Sequence, residues 1–81
     1  MLRLSPRAAD ALRAADAAAR RFNPDARVRL RRTGTGVAAD LTDAPEAGES
    51  ALTLEGIDLI LADDLDGTLD ADDHNAFSLL P

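Results

Sequence analysis

Four aspartates, Asp64, Asp66, Asp70 and Asp73, stand in "ADDLDGTLDADD" at a spacing suited to a hard divalent cation. With Gly67 at the sixth position of a calcium loop, they occupy the third, fifth, ninth and twelfth positions. The first position is then Ala62, where a carboxylate is wanted, and the twelfth holds an aspartate in place of the usual bidentate glutamate. The flanks read as strands rather than helices. The expectation is weak cation binding by clustered carboxylates. His74, the sole histidine, adds little, because one imidazole cannot build a transition-metal site alone.

Two other stretches invite a chemical reading. Gly34-Thr35-Gly36 has the look of a phosphate loop, but such loops place their glycines before a helix, and here a strand-like segment follows. The chain has no lysine, so a Walker lysine is excluded. Asp64-Leu65-Asp66-Gly67-Thr68 resembles the nucleophile motif of haloacid-dehalogenase-type phosphatases, in which one aspartate attacks phosphorus and a second acts as acid and base. That chemistry needs a larger α/β domain, a later lysine and later acidic ligands, and none of these follows Thr68. The serines, Ser5, Ser50 and Ser78, sit in no nucleophile elbow. No enzymatic activity is expected.

Composition narrows the classes further. The 81 residues allow one domain, residues 1–81, with a modest core. Cysteine is absent, which excludes disulfides, thiolate zinc sites and cysteine-ligated clusters within these residues. No secretory h-region and no membrane-length apolar run is present, so a cytoplasmic protein without a membrane partner is expected. All nine basic residues are arginines between Arg3 and Arg32, whereas twelve of the fifteen acids lie beyond them. Either the two halves neutralise each other on packing, or they present opposed faces to an acidic and a basic partner. Nucleic acid is not an expected partner, given the net charge of −6 and two aromatic residues. Much of the apolar content is alanine, so stability is marginal and a homodimer has room to add burial.

The elements must position these residues. Met1 to Leu4 reads as a short strand, and Ser5-Pro6 as an N-cap followed by proline in the first turn. Ala8, Leu12, Ala15, Ala19 and Phe22 recur at helical spacing and define one apolar face. Asn23-Pro24 ends the helix. Residues 26–32 alternate, with Val28 and Leu30 on one face and Arg27, Arg29 and Arg31 on the other. A hairpin turn at Gly34-Thr35, with glycine at positive φ, sets Leu30 opposite Ala39, Val28 opposite Leu41 and Arg29 opposite Asp40. Strands follow at 51–55, with Leu52 and Leu54 inward, then at 57–62 and 76–80. The acidic segment between the last two is read as a turn. The order predicts an α+β domain, mostly β, with one N-terminal helix packed on mixed and antiparallel strands.

Taken together, "LRLSPRAADALRAADAAA", "VRLRRTGTGVAADL" and "LTLEGIDLILADDLDGTLD" resemble the successive segments of HesB/IscA-type proteins, the A-type iron–sulfur cluster carriers. The resemblance spans nearly the whole length, and "FSLLP" falls where members approach their C-terminal cysteine segment. It implies a HesB-like domain in which Gly34, Thr35 and Gly36 form a degenerate cluster loop, with Thr35 where a cysteine is expected. Threonine is a poor iron ligand, so the resemblance implies the fold and an origin in cluster assembly, without cluster transfer. No cofactor is expected beyond a weakly bound divalent cation. The expected function is protein–protein contact with an unknown partner, through Arg27, Arg29 and Arg31 or the acidic segment. The alternative is weak divalent-metal binding through residues 63–73.

Overall fold

The computed structural model describes residues 2–34, 36–74 and 76–80. In chain order the elements are β1 (Leu2–Leu4), α1 (Pro6–Phe22), β2 (Arg27–Arg32), β3 (Val37–Thr42), β4 (Glu49–Leu54), β5 (Ile57–Ala62), β6 (Gly67–Ala71) and β7 (Phe77–Leu80). The seven strands form one sheet in the order β1-β6-β7-β3-β2-β5-β4. The pairs β1–β6 and β2–β5 are parallel, and the others are antiparallel. This is the expected mixed, mostly β arrangement with a single helix.

The helix begins as its sequence dictates. The Ser5 hydroxyl accepts a hydrogen bond from the Ala8 amide at 3.1 Å, Pro6 occupies the first turn, and Asn23 closes the other end. Ser5 also donates its hydroxyl proton to Asp70 at 2.6 Å, and its amide reaches the Leu69 carbonyl at 2.8 Å, so the cap is tied to β6. Ala8, Ala9, Leu12 and Ala19 are buried. Small side chains let the helix lie close to the sheet. Phe22 departs from the expected inward stripe, since it is 90% exposed. Its ring stands at the rim of an open depression that Ala19 and, from β3, Leu41 and Thr42 also line.

One core lies between α1 and the sheet. Leu2, Leu12, Val28, Leu30, Leu59 and Leu69 are central to it. The alternation in β2 holds as expected, with Val28 and Leu30 buried and the arginines on the outer face. The β2–β3 register is also as expected: Leu30 meets Ala39, Val28 meets Leu41 and Arg29 meets Asp40. Thr33 N–H donates to the Gly36 carbonyl at 2.9 Å, which closes the hairpin. Gly34, however, is not at positive φ; the glycines that are, among the described residues, are Gly48, Gly56 and Gly67. The turn geometry expected of Gly34 is thus not adopted.

The acidic segment holds the largest departure from the sequence reading. It contains a strand, β6, with Leu69 fully buried and Ala71 nearly so. Thr68 and Asp70 alternate outward, and the dense aspartates conceal a two-residue apolar alternation. Leu52 also stays 36% exposed although it points inward, because β4 is an edge of the sheet.

Candidate functional site

The outer face of β2 and its neighbours carries two carboxylate hubs. Arg29 donates from Nε and Nη2 to the two oxygens of Asp40, at 2.8 and 2.6 Å. This fork-on-carboxylate geometry follows from the cross-strand register. Arg31 reaches the same Asp40 at 3.3 Å. Arg29 also lies 3.6 Å from Glu46 and 3.9 Å from Glu49. The side chains of Arg29 and Glu49 are only 11% and 6% exposed. Ile60, on the same face and across from Arg29, is fully buried. The second hub is Asp58, which accepts from Thr53 Oγ1 at 2.7 Å and from Arg20 Nη2 at 2.8 Å, with Arg27 at 3.5 Å.

The face therefore presents balanced charges rather than a positive patch. Arg29 and Arg31 share Asp40, while Arg27 belongs to the Asp58 hub. Of the two readings of the charge asymmetry, packing brings about mutual neutralisation: arginines of the first 32 residues meet acids of the remainder. Asp58 is the residue the sequence reading passed over. Its signal was a lone charge inside the apolar run "IDLILA".

Protonation follows from these contacts. The Arg29 guanidinium hydrogen-bonded to Asp40 holds that carboxyl below its usual range, against the opposing cost of partial burial. Arg29 is correspondingly raised. Asp58 is lowered first by the Thr53 hydroxyl and then by Arg20, and Asp70 first by the Ser5 hydroxyl. A carboxyl lowered in the folded state stabilises it above the unfolded value, about pH 4, and that stabilisation is lost as pH falls further. The expected outcome is a melting temperature that drops steeply on acidification below about pH 4. Asp40→Asn flattens that drop relative to the unaltered protein. Calorimetric scans across pH check this, and parallel profiles for the two proteins would refute it.

The four aspartates proposed as metal ligands are not brought together. Asp64 lies 3.8 Å from Arg32, Asp70 accepts from Ser5, and Asp73 pairs with Arg7. Asp66 accepts from the amide of Gly67 at 3.0 Å. Asp72 accepts from the amides of His74 and Ala76, which shapes the turn between β6 and β7. Among the described residues no group of three or more His, Asp or Glu side chains converges as a metal site. The carboxylates are placed to close turns and to pair with arginines.

In the Gly34-Thr35-Gly36 loop, Thr35 lies outside the described residues. Gly36 has a structural reason to be glycine: a Cβ there would stand 3.1 Å from the Phe77 carbonyl oxygen, where β7 meets β3. Gly34 has open space around its Cβ position. No helix among the described residues is long and apolar enough to cross a membrane.

A capped helix laid on a seven-stranded mixed sheet, with the β2–β3 hairpin turning at a glycine pair, is a HesB/IscA-like fold. The solved structure of Escherichia coli SufA, involved in biosynthesis of iron–sulfur clusters, matches with a TM-score of 0.62 and 25% identity, covering 95% of this chain and 81% of SufA. A structure of IscA with the [2Fe-2S] cluster is more distant, with a TM-score of 0.46 and 17% identity over 96% of this chain and 80% of IscA. No protein-family model and no curated protein sequence matches.

Proposed function

We propose that this chain is a non-enzymatic, cytoplasmic protein related to iron–sulfur cluster assembly, which acts through protein–protein contact rather than by holding a cluster. One observation carries the reading. The SufA-like fold extends over 95% of the chain, yet its 81 residues include no cysteine. Clusters are held chiefly by thiolates, so these residues lack the means to hold one. What the fold keeps is its shape and its surface.

On the arginine face, Arg31 and Arg27 are the members able to reach a partner, with side chains 50% and 40% exposed. Arg29 is committed to Asp40 and props the face from within. A partner carboxylate reaching Arg31 would share it with Asp40, which suits a contact that forms and releases readily.

The test has two arms. Anaerobic incubation with ferrous iron and sulfide is expected to give no cluster absorbance, and a bound chromophore would overturn the reading. Cross-linking in the native host is expected to capture iron–sulfur assembly proteins, with recovery reduced several-fold by Arg31→Glu. Capture that contains none of them, or that ignores Arg31→Glu, would count against it.

A further inference from the structure

β3 is paired along its whole length on one side only. Toward β2 it pairs from Val37 to Thr42. Toward β7 it pairs at Val37 alone, among the described residues. The β6–β7 hairpin turns back at that point, where the Asp72 amide donates to the Ala76 carbonyl. Ala38 to Thr42 is therefore a sheet edge in the middle of the strand order. The register decides which backbone groups face outward. The Thr33 N–H bond to Gly36 makes theirs a hydrogen-bonded pair, and the two kinds of pair alternate along an antiparallel ladder. Ala39 and Leu41 then sit at non-hydrogen-bonded pairs with Leu30 and Val28, so their N–H and C=O groups point away from β2. Val37 obeys the same rule, and on that outward side it meets Phe77. Open edges of this kind invite another strand. Apolar surface gathers at the same place. Phe22 and Leu41, 90% and 54% exposed, flank a depression lined also by buried Ala19 and Ala26. α1 packs chiefly on β2, β5 and β6, and Leu41 stays uncovered.

We propose that the open half of β3 takes an extended segment of a foreign protein as an added antiparallel strand. One apolar side chain of that segment seats between Phe22 and Leu41, and a basic residue two positions earlier meets Asp43. Main-chain bonds to Ala39 and Leu41 hold the strand, and the depression selects its side chains. Alternate residues of a strand share a face, so the residue opposite Leu41 and the one opposite Asp43 both face the depression. Charge identifies the occupant. Asp43 is the charged residue among those lining the depression, and no base pairs with it among the described residues. The chain's own nine arginines all lie within β1, α1 and β2, and it has no lysine. A free segment of a second copy therefore supplies no basic side chain, and the strand comes from another protein. The surface is additional to the arginine face and does not depend on it. With few residues pairing, the contact is smaller than a standard interface and reversible.

The probe is a synthetic peptide, Thr-Thr-Arg-Thr-Leu-Thr-Thr, with both ends blocked. Titrated to millimolar concentration into the isotope-labelled chain, it is expected to shift the amide signals of Ala39 and Leu41 and to slow their hydrogen exchange at least about fivefold. Leu41→Thr and Phe22→Ala, both at exposed positions, are each expected to weaken binding about fivefold or more, with circular dichroism confirming the fold. Asp43→Arg weakens it likewise, and binding returns with a peptide carrying glutamate in place of its arginine. N-methylation of the peptide's leucine, whose N–H faces β3, abolishes binding, whereas N-methylation of the threonine before it does not. Arg31→Glu leaves the affinity within about twofold, which separates this site from the arginine face. No binding at millimolar peptide overturns the proposal. So does a leucine-methylated peptide that still binds, since the contact would then be apolar burial without an added strand. Loss of binding in Arg31→Glu, or Ala39 and Leu41 signals that shift with protein concentration alone, would equally overturn it, the last by making the occupant a second copy.

Discussion

Leu69→Ala is expected to lower the unfolding free energy by about 3–5 kcal/mol. Leu69 is fully buried in β6, paired with Leu4 on one side and Leu79 on the other. Its removal opens a cavity where β1, β6 and β7 meet the helix, and the neighbouring strands cannot collapse into it without breaking register. A domain of 81 residues has a total stability of about 4–12 kcal/mol, so the loss is a large share of the whole. Leu80→Ala is the control. Leu80 is 44% exposed, and its truncation is expected to cost under about 1 kcal/mol. Urea titration of the three proteins decides the matter. Equal midpoints for the two variants would mean that the acidic segment is not a core strand.

Gly67→Ala is expected to cost about 3 kcal/mol, from left-handed backbone strain together with a steric clash. Gly67 has a φ of +99°, and a Cβ built there stands 2.6 Å from the Leu80 carbonyl oxygen. That oxygen belongs to backbone, which cannot rotate aside. The melting temperature should fall by roughly 10 °C or more for a domain of this size. Gly34→Ala offers the contrast, because Gly34 has no atom within 4 Å of its Cβ position and no positive φ. Its effect is expected to stay within about 0.5 kcal/mol. The glycine of "DLDGT", which invited a phosphatase or calcium reading, is thus required by the start of a strand. If Gly67→Ala and Gly34→Ala melt together, that account fails.

The strongly periodic parts of the chain were legible from residue types alone. Ser5-Pro6 announced the helix, and the alternation of Arg27 to Leu30 fixed the β2–β3 register through to the Arg29–Asp40 pair. Phe22 misled, because periodicity tells which face a residue takes but not whether that face is covered at its end. β6 was hidden because Asp70 and its neighbours carry low strand propensity, while burial of Leu69 depends on β1 and β7, which are remote in sequence. For the same reason Asp64, Asp66, Asp70 and Asp73 looked like one cluster. Only Asp70 lies in β6; Asp64 and Asp66 precede the strand and Asp73 follows it, and Ser5, Arg7 and Arg32 arrive from elsewhere to pair with Asp70, Asp73 and Asp64. The paired charges on the outer face were half legible: Asp40 follows from the hairpin, whereas Asp58 depends on the parallel β2–β5 crossover.

The parallel pairing of β1 with β6, locked by the Ser5–Asp70 bond across 65 positions of sequence, has a kinetic consequence. Contacts between distant positions require a large loop to close before any of their stabilisation is gained. On the ribosome, α1 emerges early but has no β6 on which to seat its capped end. The β2–β5 half can assemble first, and β1 waits until β6 has been made. Folding should accordingly be slower than the single helix and small size suggest, with closure of β1 onto β6 among the last events.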